Sequence, residues 1–148
     1  MKTTALICAA VWFASPAMAQ AVVIQITPED PAARTIICSA VLIDGQVEFK
    51  RAWGINTMFD SMTRQATATD LLNFAALASS FADGTIPAVA GPIPPQTPAP
   101  SVSVSHQPVI DTEFGLQTAI LPGRDVPAVV IPLFADVFDG DCLDAGLD

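Results

Sequence analysis

The chain has 148 residues, with 15 acidic against 6 basic side chains and a net charge of −9. Phosphate backbones and anionic membrane surfaces repel such a chain, which argues against nucleic acid and leaves basic protein patches or cations as charged partners. The length suits one domain with a modest core.

Residues 1–19 have the organisation of a secretory signal peptide. Lys2 supplies the positive start, residues 5–14 a short apolar run, and Ala17-Met18-Ala19 the small-x-small pattern that a signal peptidase cuts after, so that Gln20 becomes the first residue. The apolar run is about half the roughly 20 residues that a membrane span requires, and Pro16 interrupts it. A lipid-anchored reading needs a cysteine just after the run, whereas Cys8 lies inside it. No later segment suits a span either, since residues 128–138 carry Pro132 and Asp136 and the apolar stretch 71–82 is short. The expected location is therefore periplasmic or secreted.

Past the leader, 21–27 is rich in β-branched residues and predicts a strand, stopped by the prolines at 28 and 31. Residues 35–43 are apolar at nearly every position, as in a strand covered on both faces. Asp44-Gly45 then offers the positive φ angles of a tight hairpin turn. Beyond it Val47, Phe49 and Trp53 alternate with Gln46, Glu48 and Lys50, the period of a strand with one wet face. Two helices are expected next. Asn56 or Thr57 caps a short one with Met58 and Met62 one turn apart. Thr67 and Asp70 form a capping-box-like pair ahead of 71–82, where Leu71, Phe74, Ala78 and Phe81 make one apolar stripe and Gly84 suits a left-handed cap.

The composition then changes. No charged residue lies between Asp83 and Asp111, and seven prolines fall within 87–108. Such a stretch predicts an extended linker or long loop over 85–108, with 101–105 able to pair as an edge strand. Residues 109–121 hold two short strand candidates around Gly115. Residues 126–134 read either as an edge strand or as a helix with Pro132 at its first position, ending at Gly140.

Cys8 leaves with the leader. Cys38 and Cys142 are the remaining pair, and outside the cytoplasm they read as one disulfide tying the early chain to its C-terminal end. Candidate chemical sites are sparse. His106, the single histidine, is expected as a solvated loop residue, with a Ser103/Ser105–His106–Asp111 arrangement as the catalytic alternative. Asp136, Asp139, Asp141 and Asp144 crowd a glycine and offer hard oxygen donors for calcium, in an order unlike an EF-hand loop. Met58 and Met62 offer soft sulfurs for copper(I). Asp111 and Glu113 share a strand face and suit acid–base hydrolysis.

These readings define an α+β domain: an antiparallel sheet around the Asp44-Gly45 hairpin, two short helices, a proline-rich linker or loop and C-terminal strands returning to the sheet. Its parts are the leader 1–19, an N-terminal portion 20–84, the linker 85–108 and a C-terminal portion 109–148 with an acidic tail. The expected function is that of a small exported, non-catalytic protein that binds another envelope protein, with the prolines acting as a docking strand or a spacer. A small hydrolase using Asp or Glu residues and a calcium-binding module are the alternatives.

Overall fold

Burial alternates strictly along Gln20–Thr27 (β1): Val22, Ile24 and Ile26 are buried, while Ala21, Val23 and Gln25 are partly exposed. That period of two sets the register of the whole sheet. The computed structural model of the chain describes residues 19–29, 35–53, 58–94, 97, 99–108, 115–123 and 125–144. Among them β1 pairs with Ile36–Ile43 (β2), which turns into Gln46–Trp53 (β3) and then Met58–Gln65 (β4). On the other side of β1 lies Ser101–Gln107 (β6), followed by Gln117–Pro122 (β7) and the two-residue strand Val89–Ala90 (β5). All pairings are antiparallel, in the order β4-β3-β2-β1-β6-β7-β5. With its helices the domain is α+β.

The turn between β2 and β3 uses Asp44 at φ 50° and Gly45 at φ 73°, flanked by the pair Ile43 and Gln46. Two left-handed residues in sequence match the twist of the strands they join. In β2, however, Cys38, Ala40 and Leu42 are buried whereas Ile37 is 36% and Ile43 43% exposed. A run that predicts two covered faces thus has one covered face and one largely open face among the described residues.

The reason is that the helices share one side. Ala68–Ala82 (α1) starts beside β4, where Asp70 meets Arg64, and ends over β6, where Phe81 lies 5.4 Å from the His106 ring. It therefore crosses the sheet diagonally. Ile131–Phe134 (α2), with Pro132 in its first turn, sends Phe134 edge-on to Phe49 at 6.2 Å. Asp141–Asp144 (α3) follows a 3₁₀ turn over Phe138–Gly140. The core between these layers contains Val22, Ile24, Val47, Phe49, Phe74, Leu77, Val102, Val104, Leu133 and Phe134. Residues 126–134 thus take the helical alternative, with α2 confined to 131–134.

Three further expectations change. The cap expected at Asn56 or Thr57 lies outside the described residues, but the residues of the helix expected after it form the strand β4, so Met58 and Met62 are separated by about 13 Å of extended chain rather than by one helical turn. Met62 packs on the core instead of facing a shared copper site. β4 forms because the outer edge of β3 would otherwise carry unpaired backbone groups; eight residues pair there in full register. The apolar stripe of α1 is Phe74, Leu77 and Phe81, with Leu71 half exposed, because Asp70 takes the inward position one residue earlier. Finally, 101–107 is an interior strand rather than linker or edge, and Val102 and Val104 are fully buried.

The rest of the proline-rich stretch forms a strap. β5 pairs with β7, and β6 lies on the far side of β7. The described residues between β5 and β6 are fastened on the side opposite the helices. There the Thr118 hydroxyl donates to the Gly91 carbonyl at 2.7 Å, and the Thr27 and Thr97 hydroxyls meet at 3.0 Å. Between these two fastenings Ser101, Ser103 and Ser105 are buried on the reverse side of β6.

Thr67 caps α1. Its hydroxyl accepts from the Asp70 amide at 3.1 Å, and the Asp70 carboxylate accepts from the Thr67 amide at 2.7 Å. Gly84, at φ 79°, follows the last turn. Replacing Thr67 by Ala removes one of the two reciprocal bonds. The expected cost is about 1 kcal/mol, read as a lower urea midpoint at unchanged slope.

Candidate functional site

A cavity of about 410 Å³ opens where the N-terminal turn of α1 faces α2. Arg64 from β4, Thr67, Asp70 and Asn73 from α1, and Leu133 and Asp136 from the α2 region line it. The sequence builds its floor in a few residues. Arg64 is an inward position of β4, three residues before the helix cap, and its guanidinium forms a two-pronged pair with Asp70, one arm at 2.8 Å. The flat face of that guanidinium lies 5.1 Å from the Phe49 ring centre.

The hydrogen bond from Arg64 is the main reason the Asp70 carboxyl is lowered to about 2, helped by the Thr67 backbone and hydroxyl against the cost of burial. The same bond raises Arg64, with further support from the charge on Asp136. Asp70 is therefore a fixed anion committed to Arg64 and to the helix cap. What the cavity presents to a visitor is the exposed Asp136, the Asn73 amide and the Thr69 hydroxyl.

Arg51 organises a second cluster. On the helix-covered side of β3 it pairs with Asp60 on β4 and with Asp141 on α3. Its guanidinium lies 4.2 Å from the Trp53 ring centre and 4.8 Å from that of Phe138. In register Arg51 is the neighbour of Cys38, and Cys38 is bonded to Cys142, 104 positions further along the sequence. Asp141 and Cys142, adjacent in the chain, therefore dock on adjacent groups of the sheet. This double attachment fixes α3, and both sulfurs are buried.

The C-terminal aspartates consequently diverge. Asp136 faces the Arg64 cavity, Asp141 reaches Arg51, and Asp139 is exposed at φ 56° in the turn between them. Among the described residues no three acidic, histidine or cysteine groups come together as a metal site. The Asp144 backbone closes α3.

Comparison with known protein families, with characterised proteins and with solved structures finds no match. Among the described residues no helix is long and apolar enough to cross a membrane.

His106 departs most from expectation. It is an inward residue of β6, 4% exposed, rather than a solvated loop histidine. Burial lowers its pKa, which keeps the ring neutral near pH 7. Its Nε2 lies 3.3 Å from Gln20 Oε1. Ser103 and Ser105 belong to the reverse side of the same strand, because successive side chains alternate, so neither joins His106 in a catalytic arrangement. Asp111 and Glu113 lie outside the described residues, as do residues 1–18. Sequence reasoning missed Arg51 and Arg64 as organising groups. The usable signal was an arginine at an inward position of a half-buried strand, which requires an acidic partner nearby.

The reverse face is the remaining candidate. Over β6 the proline-rich strap covers it. Over β1 and β2 it presents Ala21, Val23, Ile37, Val41 and Ile43, all partly or well exposed, beside Ser39 and Gln25.

Proposed function

We propose that the chain is a small exported protein, periplasmic or secreted, that binds another envelope protein without catalysis, as an accessory subunit of an envelope complex. The observation that carries the reading is the half-open apolar face on β1 and β2, where Ile37 and Ile43 are 36% and 43% exposed. Contiguous apolar surface of this kind on a folded protein marks a contact site more often than isolated exposed residues do. Charge supports the same reading. Among the described residues Lys50, Arg51 and Arg64 are each paired with a carboxylate, while Asp44, Asp125, Asp136 and Asp139 are exposed. The outer surface therefore favours a partner with a basic rim around an apolar centre. The signal pattern at residues 1–19 and the Cys38–Cys142 bond suit an oxidising compartment outside the cytoplasm.

The test is crosslinking in intact cells, followed by purification of the native chain and mass spectrometry. A stoichiometric partner is expected with the wild type and is lost with the double variant Ile37→Glu and Ile43→Glu. Both positions lie on the open face, so thermal stability is expected to stay within about 1 kcal/mol of wild type. A wild-type chain that crosslinks to nothing, or a double variant that keeps its partner, refutes the reading.

A further inference from the structure

The start of β1 combines three features. Gln20 follows the small-x-small pattern directly. It is the first residue of the sheet, paired with Leu42. Its side-chain carbonyl oxygen lies 3.3 Å from Nε2 of a buried histidine that Phe81 packs against at 5.4 Å. We infer that Gln20 is a modification site: after cleavage behind Ala19, its α-amine closes on its own side-chain amide to give pyroglutamate, with His106 aiding the closure. The inference rests on the export reading, which supplies the free amine.

The step balances without a co-reactant. The α-nitrogen forms a bond to Cδ, the bond from Cδ to the side-chain nitrogen breaks, and ammonia leaves with the proton that the amine gives up. As the amine attacks, negative charge gathers on Oε1, where a fixed donor has the most to stabilise. A carbonyl oxygen only accepts, so the His106 nitrogen facing Oε1 carries the proton. The ring stays neutral because it is buried, and a neutral imidazole donating to a carbonyl is an established way to polarise it. Closure turns the α-amine into a lactam nitrogen and so removes the positive charge that a free amine carries. The chain then has a blocked end, closed to aminopeptidases, at the strand that forms the middle of the sheet.

The test expresses the full chain with its own leader in a bacterial host. Pulse-labelled protein is recovered from the envelope over time and its N-terminal peptide is weighed. The expected wild-type peptide begins at residue 20 and is lighter than free glutamine by one ammonia. With His106→Leu, which keeps the apolar contact to Phe81 but has no donor, the half-time of conversion is expected to lengthen by at least about tenfold. His106→Gln, which restores a donor, is expected to fall between the two. Retention of the Cys38–Cys142 bond and of the thermal midpoint verifies that each variant is folded. A wild-type peptide that begins at residue 20 with a lasting free amine overturns the inference and leaves export standing. A peptide that begins elsewhere overturns cleavage after Ala19 itself. Equal rates in wild type and His106→Leu overturn the role given to His106.

Discussion

Replacing Cys38 and Cys142 together by Ala is expected to cost about 4 kcal/mol and to lower the thermal midpoint by roughly 10–20 °C. The bridge closes 104 residues of sequence, so in the chain-entropy account it removes on the order of 4–5 kcal/mol of freedom from the unfolded chain. Native-state contacts add to this. Cys142 is the inward anchor of α3, a four-residue helix too short to persist alone, and the neighbouring Asp141 reaches Arg51 from the same turn. Without the bridge, residues 138–144 are held by the ion pair from Asp141 to Arg51 and by the packing of Phe138 and Leu143 on the core. Amide exchange should therefore report the loss unevenly. Protection falls first over α2 and α3, while β1, β2 and β6 keep theirs up to the new global limit. Reduction of the wild type should reproduce the double variant. A midpoint unchanged by reductant would sink the account.

How far the residues foretold this structure depended on whether an element was locally or globally determined. The hairpin at Asp44-Gly45 is local: two residues tolerant of positive φ stand between two apolar runs. The cap at Thr67 and Asp70 is local in the same way, and the disulfide was legible because only two cysteines lie beyond residue 19. β4 was not legible. Met58 and Met62 at a four-residue spacing suit a helix as well as a strand, and the choice is made by the open edge of β3, which no local pattern contains. β6 was hidden for a related reason. Its serines face the strap and its valines face the core, so an interior strand carries the alternation of an edge. The strap itself spans residues widely separated from Thr27 and Thr118, the two groups that fasten it. At the candidate sites, acidic crowding near the C-terminus was visible, but its division between Arg51 and Arg64 was not, because it depends on where two strands place two arginines.

Acidification should expose the Asp70 site. Asp70→Asn is expected to cost about 2 kcal/mol near pH 7, where it breaks the charged pair with Arg64 and weakens the α1 cap. The carboxyl is lowered from an ordinary 3.8 to about 2, so the unfolded chain takes up this proton before the folded one does. The stabilisation is therefore whole above about pH 5 and is lost as pH falls toward 2. Wild type and Asp70→Asn should differ fully at pH 6 and converge by about pH 2, as measured by urea unfolding at each pH. His106 acts in the same direction from a higher starting point. Burial lowers its pKa below 6.5, so the unfolded chain binds that proton first and stability begins to decline as pH drops through the mid-sixes. Repeating the comparison in a His106→Leu background removes the upper part of the decline and leaves the Asp70 part in place. Parallel curves for wild type and Asp70→Asn between pH 6 and 2 would mean that Arg64 does not hold Asp70 as an anion, and the floor of the cavity would need a different explanation.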